Sequence, residues 1–300
     1  MEKLRVGRFN LCATIESGQL FRYRKLGDWY QVAHGAVLLN VRQSGQVVEY
    51  ECSDPSFNLK NFLGLAQNHA SFRKLVSRDE GMAALAVRHA GLRIIRQEPW
   101  ECVASFILSS FSNIPRIRRC VESVAASFGR PVNFRGRVSR AFPRPFEISN
   151  FSKLQRCGLG YRDAYLFGAA KLFEANECQF SFDAVRKLPY EDAKELLRGL
   201  PGVGEKVADC VLLFAYGFME AFPTDVWIAR AMMQRYAKAV DAFSKKKGRK
   251  ISPALIAEFG RAYFGRAAGY AQQLLYYDSR RQVTPNFLKK NRFAISAVVK

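Results

Sequence analysis

After Asp54-Pro55 the hydrophobic period of this chain changes from two residues to between three and four, and the change holds almost to the end. Upstream, Phe21 and Tyr23 alternate with Arg22 and Arg24, and apolar runs at 29–33, 36–41 and 47–52 are separated by turns at Gly27, Gly35 and Ser44-Gly45. That spacing predicts an antiparallel sheet of short strands. Downstream, helices are predicted over 57–76 and 80–91, and another opens at Pro99-Trp100-Glu101, where the first helical turn tolerates proline. Further helical segments follow at 115–128, 162–175, 190–197, 205–216, 226–236, 253–263 and 269–280, most bounded by Gly or Pro. Two stretches look irregular: 129–149, rich in Arg, Pro and Phe, and the run Lys245-Lys246-Lys247-Gly248-Arg249-Lys250, which reads as a solvated loop. The expected fold class is α+β, with an N-terminal antiparallel-sheet domain over residues 1–95, carrying helices of its own, packed on a mainly helical core over 96–300.

Charge narrows the partner. Lys and Arg number 47 against 26 Asp and Glu, a formal charge of +21, and the commonest polyanion for such a chain is the phosphate backbone of nucleic acid. No apolar stretch approaches the roughly 20 residues of a membrane-spanning helix, and residues 1–17 lack the apolar centre of a secretory signal, so a soluble, intracellular, DNA-associated chain is expected. The seven cysteines stand no closer than 18 residues apart, which removes the paired spacing of a structural zinc or a ferredoxin-like cluster and suits a reducing compartment. Histidine occurs only at 34, 69 and 89, which argues against a Ser-His-Asp or Cys-His mechanism in the larger part of the chain.

The segment richest in chemistry is Gly199-Leu200-Pro201-Gly202-Val203-Gly204-Glu205-Lys206-Val207-Ala208-Asp209-Cys210. A helix ends before it, a tight turn reverses the chain, and a second helix begins with Val207, Cys210, Val211 and Phe214 on one face. Backbone N–H groups of such a turn, beside a helix N-terminus, suit a phosphate. Lys206 falls in the first helical turn, where the dipole and partial burial are expected to lower its pKa and make the amine nucleophilic. Asp225 opens the predicted 226–236 helix, as an N-cap and as a carboxylate able to face that amine.

Residues 200–208 resemble the helix-hairpin-helix motif, placed here at 195–216. Pro223-Thr224-Asp225 resembles the Gly/Pro-rich loop ending in an aspartate of the glycosylase superfamily built on that motif. Within it, the similarity is to 8-oxoguanine DNA glycosylases. It is carried also by Ser17-Gly18-Gln19-Leu20-Phe21-Arg22-Tyr23, Arg96-Gln97-Glu98-Pro99, Ser109-Ser110 with Asn113-Ile114-Pro115-Arg116-Ile117, Leu159-Gly160-Tyr161-Arg162 and Ala271-Gln272, in the family's order.

The resemblance implies excision of 8-oxoguanine from duplex DNA by base flipping, with a Schiff-base lyase step. Lys206 would attack C1′ and Asp225 would stabilise the oxocarbenium-like sugar. The base pocket would be Gly18, Cys210, Gln272 and Tyr276, with the Gly18 carbonyl accepting the N7–H found only on the oxidised base, Gln272 reading the Watson–Crick edge, and Cys210 and Tyr276 stacking on its two faces. DNA contacts would come from Leu200, Gly202, Val203 and Gly204 in the hairpin, and from Phe111, Asn113, Arg116, Tyr161, Arg162 and Trp227. Arg116 and Arg162 are the candidate donors to a cytosine opposite the lesion. No metal or organic cofactor is required, although the resemblance allows a monovalent cation on the hairpin carbonyls at 200–203, and a monomer is expected.

Two positions depart from the family pattern. Phe111 replaces an asparagine that fills the hole left by the extruded base, and Trp227 replaces a common histidine; an aromatic wedge at 111 is expected to unstack a base step. Two other readings carry discriminators. An alkylated-base glycosylase would lack the lysine, and a non-catalytic hairpin module would require neither Asp225 nor the Gln272/Tyr276 pair.

Overall fold

In the computed structural model, which describes residues 1–281, the chain begins with strand β1 (Glu2–Arg5) and a short helix α1 (Leu11–Ile15), followed by β2 (Tyr23–Leu26), β3 (Trp29–His34), β4 (Val37–Ser44) and β5 (Val47–Cys52). These form one antiparallel sheet in the order β1-β5-β4-β3-β2. Tyr30 lies opposite Val41 and Val32 opposite Leu39, and all four are buried, as the period of two demands. β1 was not predicted. It is four residues long, three of them exposed, and only its pairing with β5 makes it a strand.

The helical part comprises α2 (Leu59–Phe62), α3 (His69–Val76), α4 (Glu80–Arg88), α5 (Pro99–Leu108), α6 (Ile114–Phe128), α7 (Phe151–Gln155), α8 (Arg162–Ala175), α9 (Glu177–Phe180), α10 (Phe182–Arg186), α11 (Tyr190–Arg198), α12 (Glu205–Val211), α13 (Val226–Lys247), α14 (Pro253–Phe264) and α15 (Ala268–Arg281). The single helix predicted over 57–76 is two, because Asn58 and Asn68 each cap a new start. The stretch 129–149 contains a hairpin, β6 (Pro131–Phe134) paired with β7 (Arg137–Arg140) through Arg135 and Gly136, both at positive φ. The helix predicted to end at 236 does break geometry there, at Tyr236 (φ −127°, ψ 19°), but continues to Lys247. The basic run is therefore the last turn of α13 and its exit rather than a loop. Its cations sit at the negative end of the helix dipole and pair with Asp241 and Glu258.

One apolar cluster lies under the sheet, including Leu20, Val32, Leu39, Val48, Phe62 and Ile95. The larger one runs through α5, α6, α8, α12 and α15. Among the described residues no helix is long and apolar enough to cross a membrane. Residues 282–300, the last part of the helical core predicted over 96–300, lie outside the described residues.

Candidate active site

The hairpin between α11 and α12 places the chemistry. Leu200 and Val203 bury their side chains beneath the turn, and the Val203 N–H donates to the Leu200 carbonyl at 3.1 Å. Two hairpin residues proposed for DNA contact thus anchor the turn through their side chains, and the Val203 amide is already used within it. Gly202 has φ +79°, and a Cβ there would lie 2.8 Å from Tyr165 Cβ. Glycine is required on both counts. Gly204 caps α12 without a side-chain bond, while Glu205 pairs with Lys194 and Arg198 of α11 at 2.6 and 3.3 Å.

Lys206, Cys210, Asp225, Gln272, Tyr276 and Gly18 line one cleft of about 870 Å³, together with Gly202, Gly204, Phe111, Asn113 and Trp227. The cleft joins residues more than 250 positions apart in the chain. Lys206 Nζ donates to Ser109 Oγ at 3.1 Å and stands 5.1 Å from the centre of the Phe106 ring. Desolvation by burial pulls its pKa down, but the Cys210 sulfur and the Asp225 carboxylate outweigh it, so the pKa lies above the ordinary lysine value. This corrects the lowered value expected from helix position and burial: Cys210, one turn along the same helix, and Asp225, from a separate segment, reverse the sign. Burial pushes the Cys210 thiol up to about 12, leaving it neutral near pH 7. Asp225 accepts the backbone N–H of Trp227 and of Ile228 on the same oxygen, Oδ1, at 2.9 Å each. Capping therefore makes no use of Oδ2.

Gly18 is held between two bonded carbonyls, that of Ser17 accepting from Gln273 Nε2 and that of Gln19 from Gln97 Nε2, each at 2.8 Å. Its φ is +79°, and an added Cβ would meet Tyr276 Cε1 at 2.8 Å. Gln272 and Tyr276 lie one turn apart on α15. Gln272 donates from Nε2 to the Pro223 carbonyl at 3.0 Å, whereas its Oε1 is buried with no hydrogen-bond partner. Such an orphaned acceptor costs about 1–3 kcal/mol, which a donor on a bound base would offset.

At the cleft mouth Phe111 is 92% exposed with φ +47°, a left-handed conformation that costs a non-glycine residue about 1–3 kcal/mol. Asn113 caps α6 by accepting the Arg116 N–H at 3.0 Å, and Trp227 has the Arg230 guanidinium 5.6 Å from its ring centre. Arg116 is exposed. Arg162, expected to reach for the opposite base, is buried, and its guanidinium donates to the Ser110, Phe111 and Leu159 carbonyls. It is committed internally because α8 begins against the loop between α5 and α6.

Two residues escaped the sequence reading. Ser109 carries the Lys206 contact, for which a Ser-Ser dipeptide nearly 100 positions away offered no local signal. Tyr165 is exposed, lies edge-on to exposed Tyr161 with ring centres 6.0 Å apart, and supports Gly202; its spacing of four from Tyr161 on a helix was the available clue.

Residues 3–103 match the family model for the 8-oxoguanine DNA glycosylase N-terminal domain. The chain is 30% identical over 297 residues to the Arabidopsis thaliana N-glycosylase/DNA lyase OGG1, covering 91% of this chain and 78% of that one. It is 31% identical over 213 residues to a probable N-glycosylase/DNA lyase of Methanothermobacter thermautotrophicus, where the match spans 64% of either chain. The Clostridium acetobutylicum 8-oxoguanine glycosylase/lyase, in complex with duplex DNA containing cytosine opposite 8-oxoguanine, superposes with a TM-score of 0.80 at 27% identity, covering 91% of this chain and 92% of that one.

Proposed function

Because the chain belongs to the 8-oxoguanine DNA glycosylase family of N-glycosylase/DNA lyases, which act in DNA repair, we propose that Lys206 and Asp225 perform its two reactions on 8-oxoguanine in duplex DNA. The single observation that carries this reading is the meeting in one cleft of a half-buried amine, a carboxylate whose Oδ2 is not used in capping, and the orphaned Gln272 acceptor. A guanine-type base offers N1–H and N2–H₂ donors to that acceptor, and an adenine edge offers a different pattern.

Lys206 is an ammonium near neutral pH, so it must lose a proton to solvent before it attacks. The amine lone pair then forms a bond to C1′ as the glycosidic bond breaks and its electrons leave with the base, which takes up a proton. Asp225 stabilises the positive charge that develops on the sugar. The aminal at C1′ then loses a proton from nitrogen, and its C1′–O4′ bond breaks as the nitrogen lone pair forms the C=N bond and O4′ takes up a proton. In the resulting Schiff base the C2′ hydrogen is acidic, and its removal by a base expels the 3′ phosphate as the C2′–C3′ double bond forms. The Gly18 carbonyl accepts N7–H of the oxidised base, with Cys210 and Tyr276 on its two faces. A monovalent cation held by hairpin carbonyls at 200–203 would supply positive charge beside a DNA phosphate. A monomer acting on chromosomal DNA within the cell fits the +21 charge.

Borohydride trapping with an 8-oxoguanine duplex tests the reading. A covalent complex is expected with the wild type, and a rate that rises with pH toward the raised Lys206 value. Base release without any trapped complex would remove Lys206 as nucleophile.

A further inference from the structure

We infer that the groove between the outer face of the sheet and the β6–β7 hairpin is a second phosphate-binding surface, which holds the backbone of the duplex arm flanking the lesion. The inference rests on the glycosylase reading of the cleft, which supplies the duplex. The groove encloses about 420 Å³ and shares no lining residue with the cleft. Strand register sets its sheet wall. Arg24 lies opposite Gln31, Gln31 opposite Asn40 and Asn40 opposite Glu51, a row across four strands on one face. Gln31 donates from Nε2 to Asn40 Oδ1 at 3.3 Å, which leaves Asn40 Nδ2 as a donor. Glu51, the carboxylate at the end of the row, is paired with Arg135 of the hairpin at 2.7 Å. The hairpin wall sets Phe134 opposite Arg137, with Ser139 beyond.

The charges of this groove are sorted. Arg22 beneath it is matched by Glu101 and Glu122, so its charge is offset within the protein. Arg24 and Arg137 are exposed on opposite walls, and neither forms an ion pair among the described residues. Arginine and amide donors on a concave surface, with the nearby carboxylates already paired, match phosphate oxygens, which only accept. Helix α6 joins this surface to the cleft. Its Pro115 and Ile117 line the cleft and its Glu122 lines the groove, a rise of about 10 Å from 115 to 122. Arg116 and Arg119 are exposed between them, and the Arg118 guanidinium carbon stands 4.3 Å from the ring centre of Tyr23 at the groove's edge. Each strand of a duplex carries a phosphate about every 3.4 Å along the axis. An arm that follows α6 therefore meets the groove beyond about three base pairs from the lesion. Cations on opposite walls suit a strand lying along the groove, and the arginine-rich stretch 129–149 gains a role.

The test is a methylphosphonate scan: the full chain binds 8-oxoguanine duplexes in which one phosphate of the arm at a time is made uncharged, with salt titrations of the unmodified duplex alongside. For the wild type, one or more positions beyond about the third base pair are expected to weaken binding by about two- to fivefold, the scale of an exposed ion pair. In Arg24→Ala/Arg137→Ala that loss is expected to vanish, while affinity for the unmodified duplex falls about tenfold and the salt slope flattens by about two. Arg135→Ala, on the same hairpin but already paired, is expected to keep the wild-type scan. A scan flat beyond the third base pair, an unchanged scan in the double variant, or an equal loss in Arg135→Ala overturns the inference. Thermal stabilisation of the wild type but not the double variant by a deoxynucleoside monophosphate, with a flat scan, would assign the groove to a free nucleotide and also overturns it. Absence of borohydride trapping by the wild type, with the expected scan intact, would instead remove the glycosylase reading and leave the groove assignment standing.

Discussion

Arg22, at the junction of sheet and helices, and Lys206, in the cleft, each set a cation near carboxyl groups, and their surroundings are built differently. At the junction of sheet and helices, Arg22 is almost fully buried, with Nε 3.4 Å from Glu122, Nη1 3.5 Å from Glu101, Nη2 2.5 Å from the Arg140 carbonyl, and the Phe142 ring centre 5.9 Å from its guanidinium carbon. Glu101 in turn accepts the Gly35 N–H at 2.5 Å, which links the sheet to α5. In the cleft, Lys206 has a hydrogen bond to Ser109 and open volume before it, and Asp225 caps a helix with one oxygen only. The junction surrounds its charge and fixes two layers together. The cleft leaves a charged pair with space for a substrate.

The comparison breaks first at Lys206. Lys206→Gln should abolish base release and trapping while leaving lesion-DNA affinity within about tenfold, because the nucleophile is lost and the phosphate contacts remain; measured trapping by that variant would place the chemistry elsewhere. Arg22→Met should do the reverse. Breaking a buried ion pair costs about 3–5 kcal/mol, so the melting temperature should fall steeply, and single-turnover excision by the protein that remains folded should hold. Asp225→Asn should slow excision by about 10²–10³-fold, or about 2.7–4 kcal/mol, as for one lost electrostatic stabiliser. It also removes a group that holds the Lys206 pKa up, so the pH–rate profile should move to lower pH; an unmoved profile would confine Asp225 to capping.

The smallest effect separates the two sites by titration. Burial raises the Glu101 carboxyl from its ordinary value to about 7, so the folded state prefers it protonated. Its contribution to stability is full below the unfolded value near 4.5 and is lost as pH rises through about 7. Glu101→Gln should flatten stability over that window, improving the variant relative to wild type by up to about 3 kcal/mol between pH 5 and pH 8. Lys206, with its pKa raised above the ordinary lysine value, contributes stability that is full below about 10.5 and is lost only at higher pH. Urea melts at pH 5 and 8 measure the Glu101 titration and leave that of Lys206 untouched, and a parallel pH slope in the Glu101 variant would assign the titration to another group.

What the amino-acid order determined by itself was whatever depends on neighbours within a turn or two. The change of period at Asp54-Pro55 announced a sheet followed by helices, the Pro-Gly-Val-Gly turn announced the hairpin, and a spacing of four put Lys206 and Cys210, and likewise Gln272 and Tyr276, on shared helix faces. Tertiary structure alone decided which distant groups these faces meet. It brought Ser109 to Lys206 as a hydrogen-bond partner and Asp225 as a charge that, together with Cys210 on the same helix, raises a pKa that burial lowers. It turned Arg162 inward onto the Ser110 and Phe111 carbonyls, made a strand of residues 2–5 by pairing them with β5, and left Gln272 Oε1 without a partner. Electrostatic and hydrogen-bond energies depend on separation in space, and sequence spacing sets that separation only within a helix or strand.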